Sequence, residues 1–224
     1  MFKKILRILW KDVVTEFRTR ELFSAMFVFA LLVVVIFNFA FESAPRESIL
    51  QAAPGLLWVA FTFSGVLGLN RSIAIERENM SIQALMLAPV DRGGIYLGKM
   101  LGNFVFMMVS ELLIVPLFAV LYNFSFTAHF GQFVLILVLG TLGFSAVGTI
   151  FSAIAVNTKM RDVLLPILFL PVVVPVLIGA VETSVRTLAG EPLRGMMDWI
   201  KILIVFDVIF ITTSFLVFEF VLEE

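Results

Sequence analysis

Cysteine is absent from the 224 residues, and histidine occurs once, as His129. The first absence excludes disulfides, thiolate metal sites and a cysteine-held iron–sulfur cluster. A single histidine leaves the chain poorly equipped to build a metal site from its own side chains. Charge is scarce as well. Asp, Glu, Lys and Arg make up 15% of the residues, against about 25% in soluble domains. The net charge of −1 points to neither nucleic acid nor another strongly charged partner. What fills the chain instead is apolar: 61% hydrophobic residues and a mean hydropathy of +1.07. That composition excludes a soluble catalytic domain and a disordered chain, and it predicts an all-α membrane protein.

Six apolar stretches are long enough to cross a bilayer: 22–41, 49–69, 95–121, 133–156, 163–181 and 200–222. Each reads as a helix, because backbone polar groups in lipid must be satisfied within the segment. Lys3, Lys4, Arg7, Lys11, Arg18, Arg20, Arg71, Arg77, Arg92, Lys99, Lys159 and Arg161 fall on one side of this arrangement, and only Arg46, Arg186, Arg194 and Lys201 on the other. The positive-inside bias then predicts six spans with both termini in the cytoplasm. The two large aqueous segments are expected at 70–94 inside and 182–199 outside.

Residues 1–21 read as a separate interfacial helix, and 22–224 as the six-helix membrane domain. Projected at about 100° per residue, Phe2, Ile5, Leu6, Leu9, Trp10, Val13, Val14 and Phe17 share one half of a helix, with Lys4, Arg7, Lys11, Thr15 and Arg18 on the other. Only Ile8 is misplaced. A basic amphipathic helix of this kind lies in the headgroup region, its cations near anionic lipid. A signal peptide would carry a shorter apolar region ending in small residues. Here the next stretch is span-length and closes on Phe39 and Phe41.

Residues 93–100, GGIYLGKM, nearly satisfy the phosphate-loop pattern. Met100 stands where the magnesium-binding hydroxyl belongs, and the following helix is a membrane span, so the match is accidental. Lys99 is expected to snorkel to the interface. Just upstream, Ile82, Leu85 and Met86 form a short apolar stripe behind Ser81, a candidate N-cap, and Pro89 ends it. Glu76, Arg77, Glu78, Asp91 and Arg92 bracket the stripe. Pattern alone leaves two readings open: a turn resting on lipid, or a helix docking into a groove of a soluble partner.

Inside the spans, Glu111 lies near the middle of span three, where a charge costs at least about 2.5–3.5 kcal/mol and must face the bundle or a cavity. Asp207 lies about a third of the way into span six from the outer side. Glu111 reads either as an acid hydrogen-bonded to a neighbouring helix or as a gating or cargo-path residue. Asp207 requires an interhelical partner. Pro166, Pro171 and Pro175 break the backbone bonding of span five and read as a static kink or as a hinge. Gly140, Gly143 and Gly148 permit close helix approach without forming a strict dimer motif. Trp58, Trp199 and Tyr122 are expected near the interfaces. His129, in the loop YNFSFTAHFGQ, reads as an interfacial polar residue rather than a heme ligand.

The run ERENMSIQALMLAPVDRGGIYLGK (76–99) resembles the segment between spans two and three of ABC-2-type exporter permeases. APGLLWVAFTFSGVLGLNR (53–71), LMLAPV (85–90) and LFLPVVVPVLIGA (168–180) look like stretches of the heme exporter protein B (CcmB) family, and the similarity extends over nearly the whole chain. The resemblance implies an ABC-2-type permease fold without its own ATPase site, in a bacterial inner membrane. It implies that a CcmA-type ATPase docks at Glu76, Arg77, Glu78, Ser81, Leu85, Met86 and Pro89. It further implies a CcmC-type heme-handling protein with a CcmD-type companion, and a CcmE-type heme chaperone. Heme would be cargo, ATP would act only through the partner, and the chain itself would hold no metal or cofactor. Scarce ligands favour release of a heme-loaded chaperone over passage of heme itself. An alternative keeps the architecture and exports a lipid, glycan or drug. A third reading, an intramembrane enzyme using Glu111 and Asp207 as a carboxylate pair, lacks a nucleophile–base arrangement.

Overall fold

The computed structural model describes residues 2–78, 91–124, 129–155 and 160–221. Their regular structure is helical: α1 (Phe2–Thr19), α2 (Glu21–Ala40), α3 (Arg46–Glu78), α4 (Arg92–Leu121), α5 (Phe130–Ala155), α6 (Arg161–Leu188), a 3₁₀ turn (Leu193–Met196) and α7 (Met197–Val221). Six of these helices, α2 to α7, are long and apolar enough to cross a membrane. They run alternately up and down. One end of the bundle, here the basic end, holds the α3 terminus and the start of α4.

The helices overrun the boundaries expected from hydropathy. The segment 182–199, expected to be aqueous, is mostly helix: α6 continues to Leu188, and α7 begins at Met197. Its polar residues are tolerated inside because they bond within the helix. Thr183 Oγ1 donates to the Gly179 carbonyl and Thr187 Oγ1 to the Thr183 carbonyl, each at 2.7 Å. In the same way α3 extends through Glu78 and α4 starts at Arg92, so helix reaches into the other expected aqueous segment from both sides.

The most enclosed helix is α5, and its sequence shows why. Gly140, Thr141, Gly143, Ser145, Ala146, Gly148, Thr149 and Ser152 are all buried. Small side chains let neighbouring helices approach closely where no hydrophobic drive separates helix from lipid. Trp58 and Leu69 of α3 lie directly against Gly140 and Gly148, and Phe206 and Asp207 of α7 lie against Gly143. Phe144 meets Phe169 of α6 edge-on at 4.6 Å. The glycines therefore serve packing within this chain.

Two aromatic expectations are corrected. Trp58 is buried, not interfacial: its Nε1 donates to Ser184 Oγ at 2.9 Å, joining α3 to α6. Tyr122 is buried too, donating from its hydroxyl to the Val34 carbonyl at 3.1 Å. An aromatic ring with one polar atom can sit inside when that atom finds a partner. Around Tyr122 the open carbonyls of the α4 C-terminus are satisfied by neighbouring side chains, as a helix end requires. Asn38 Nδ2 donates to Leu121, and the Arg46 guanidinium donates to Tyr122 and Asn123 at 2.6 and 2.7 Å.

Candidate functional site

At the basic end, the two helices flanking residues 79–90 are each fastened to a neighbour. The Arg71 guanidinium of α3 pairs with the Glu21 carboxylate at the start of α2. On α4, Arg92 donates to the Glu219 carbonyl near the end of α7 at 3.1 Å. Gly93 is covered by the ring of Phe215; a Cβ there would come within 2.5 Å of the ring. Six residues further, Lys99 Nζ lies 2.8 Å from Asp12 Oδ2 of α1. Lys99 does not snorkel as expected. It is only 9% exposed and turns inward to a carboxylate.

Gly98 makes that approach possible. Ile8 sits against it so closely that a Cβ would come within 2.8 Å of Ile8 Cγ2. Ile8, the misfit of the two-faced projection, is thus the residue that seats α1 on α4. GGIYLGKM lies within α4, so its backbone N–H groups beyond the first turn are engaged in the helix and cannot cradle a phosphate. Its glycines receive Phe215 and Ile8.

A second polar feature runs between α4 and α5. Asn103 Nδ2 donates to Thr149 Oγ1 at 2.9 Å, and Thr141 Oγ1 donates to Glu111 Oε2 at 2.7 Å. The same number of residues separates Asn103 from Glu111 as Thr141 from Thr149, about 12 Å along each antiparallel axis. Thr149 Oγ1 also donates to the Ser145 carbonyl. Glu111 therefore has the structural partner that one of its two readings required.

Asp207 does not. It is 4% exposed, and among the described residues neither carboxyl oxygen has a hydrogen-bond partner. Its Oδ1 lies over Gly143, with Val176 of α6 beside the same glycine. Thr141 and Gly143 are about 200° apart around α5, so Glu111 and Asp207 approach that helix from opposite sides. They form no carboxylate pair.

Pro166, Pro171 and Pro175 all lie inside α6, a single helix from Arg161 to Leu188. Pro171 and Pro175 are on the exposed face, where the bonds they delete face away from the core. His129 sits at the α5 start, its carbonyl accepting from the Phe133 N–H. Of the expected docking residues, Glu76, Arg77 and Glu78 close α3. Their side chains, and Ser81, Leu85, Met86 and Pro89 altogether, lie outside the described residues. Sequence pattern missed Asp12, Gly98, Asn103 and Thr149 as contact residues. The signal was present as four-residue spacing: Lys99 to Asn103 on α4, and Thr141, Ser145 and Thr149 on α5.

Six apolar helices, polar groups turned inward and small-residue packing define a multi-pass α-helical membrane protein. The profile of the family described as CcmB protein matches residues 3–221, and the chain belongs to that family. Among its relatives, a heme exporter protein B of Rhodobacter capsulatus is 32% identical over 184 residues, 82% of this chain and 83% of the relative. One from Pseudomonas aeruginosa is 30% identical over 187 residues, covering 82% and 81%. One from Escherichia coli K12 is 29% identical over 201 residues, covering 88% and 87%.

Proposed function

We propose that this protein is the membrane permease of a heme export system serving cytochrome c biogenesis in a bacterial inner membrane. The observation that carries this reading is the alignment, over more than four fifths of the chain, with relatives named heme exporter protein B. Its 22–224 domain supplies the membrane part, and residues 1–21 an interfacial element. That basic end, and both termini, face the cytoplasm; the excess of Lys and Arg there supports this orientation.

A separate CcmA-type ATPase docks on the segment between α3 and α4, at Glu76, Arg77, Glu78, Ser81, Leu85, Met86 and Pro89. Support for this coupling comes from the fastenings on either side of that segment. Movement of α3 would reach α2 through Arg71–Glu21. Movement of α4 would reach α7 and α1 through Arg92, Phe215 and Lys99. Packed helices and ion pairs transmit displacement because they shift as discrete units. CcmC-, CcmD- and CcmE-type proteins complete the assembly. With no cysteine and one histidine in the chain, the work done by ATP is release of a heme-loaded chaperone, and heme is ligated by the partners.

The test replaces Leu85 and Met86 with Asp in the full chain, expressed with its candidate partners. Loss of the ATPase on purification in mild detergent, with the membrane protein still folded, is the expected result. Normal c-type cytochrome assembly in a strain lacking the protein would overturn the reading.

A further inference from the structure

The two-faced projection of α1 resolves into three faces in the structure. Ile5, Ile8 and Glu16 are buried, with Asp12 beside them on the α4 side. Leu6, Trp10, Val14 and Phe17 form a second face, left open to the surroundings; Trp10 is 68% and Phe17 76% exposed. Lys4, Arg7, Lys11 and Arg18 are exposed on the third. On a helix at about 100° per residue these faces are centred about 120° apart. A helix that only needed to lie on a surface would require two of them.

We propose that α1 binds anionic phospholipid headgroups through its cationic face while its apolar face enters the acyl boundary, and that its buried face makes the start of α4 responsive to the charge of the bilayer. The occupant follows from complementarity. An apolar stripe carrying Trp and Phe, flanked by cations, matches the boundary between acyl chains and negatively charged headgroups. The fastening follows from the geometry: Ile8 fills the notch at Gly98, and Asp12 holds Lys99 at 2.8 Å while lying 3.1 Å from Lys11. The Asp12 carboxylate thus sits between a lysine of the lipid-facing cationic row and a buried lysine of α4. At the far end of α1, Glu16 Oε1 accepts from the Phe23 N–H of α2 at 2.7 Å, so α1 is held at two points. Attraction to a charged surface would therefore load α4 and not merely orient a tether. This inference rests on the faces of α1 and its contacts, and stands apart from the ATPase-docking reading.

The natural chain has no cysteine, so a single Val14→Cys substitution can carry an environment-sensitive fluorophore. The full chain is placed in lipid nanodiscs of phosphatidylcholine alone or with added phosphatidylglycerol. Label emission reports insertion of α1, and amide hydrogen exchange over residues 91–98 reports the start of α4. Phosphatidylglycerol is expected to shift the emission to the blue and slow exchange, with both effects shrinking at high ionic strength. Arg7→Gln with Arg18→Gln is expected to abolish both. Asp12→Asn is expected to keep the emission shift and lose the change in exchange. Emission indifferent to lipid charge, or an undiminished response in the double variant, would overturn the surface. A change in exchange that survives Asp12→Asn would overturn the coupling.

Discussion

The indole of Trp58 lies so close against Gly140 that a side chain there could not coexist with it in place. That contact and the hydrogen bond to Ser184 pin α3 to both α5 and α6. Gly140→Ala forces the indole to move, and overpacking of this kind costs about 1–3 kcal/mol. Gly55→Ala is the control. Its added methyl would find only Val181, at 3.8 Å, and alanine is the better helix former by about 0.8–1.0 kcal/mol. Thermal unfolding in detergent should show a lowered Tm for the first variant and an unchanged or raised one for the second.

Glu111 depends on the Thr141 hydroxyl. Thr141→Val removes the donor, and interhelical bonds of this type in membranes average about 0.6 kcal/mol, reaching about 1.7. Glu111→Gln keeps an acceptor for Thr141 and is expected to unfold near the wild-type temperature. If Glu111→Gln keeps its Tm but stops c-type cytochrome maturation, Glu111 belongs to the cargo path. If maturation survives, its role is confined to packing.

Burial holds the Glu16 carboxyl above the usual range, although the Phe23 and Leu22 N–H groups pull it down. A carboxyl raised in the folded state binds its proton more readily there than in the unfolded chain. Its contribution to stability is therefore largest in acid and falls as pH rises through the window between the unfolded and the raised folded value. Glu16→Gln should flatten that part of the Tm–pH curve while still accepting from Phe23. Glu16→Ala should lose about 1 kcal/mol, because an N–H of the first turn of α2 loses its acceptor.

Asp207 occupies an apolar site with no hydrogen-bond partner among the described residues. Asp207→Leu keeps the branched shape and removes the polar group, so unfolding should occur at a higher temperature than in the wild type. Cytochrome maturation is the second readout. A variant that is more stable and inactive marks Asp207 as a group kept for function at a cost in stability. A lowered Tm would mean that the carboxyl has a stabilising partner in the assembled protein.

The spans were legible because lipid imposes one rule, internal satisfaction of backbone polar groups, and apolar runs long enough to meet it stand out. Their ends were less so. Thr183, Ser184 and Thr187 read as aqueous, yet their hydroxyls bond to carbonyls one turn back or to Trp58, so the helix extends past them. Trp58 and Tyr122 were misread for a related reason. Composition places such rings at an interface, and only a partner on another helix, Ser184 or Val34, brings them inside. Ile8 looked like an error while α1 was given two faces. It became meaningful once Gly98 supplied a third.

The amino-acid sequence by itself determined that this is a six-span helical membrane protein, which end carries the basic residues and which family its motifs resemble. Each of these follows from local composition or from short runs of chain. Only the tertiary structure decided that Lys99 meets Asp12 instead of water, that Glu111 has a partner where Asp207 has none among the described residues, and that the two carboxylates lie on opposite sides of α5. Helical periodicity tells which side chains share a face, but not which helix that face will meet. That choice is made by contacts between residues far apart in the chain, and here it turns largely on glycines whose missing side chains let particular neighbours come close.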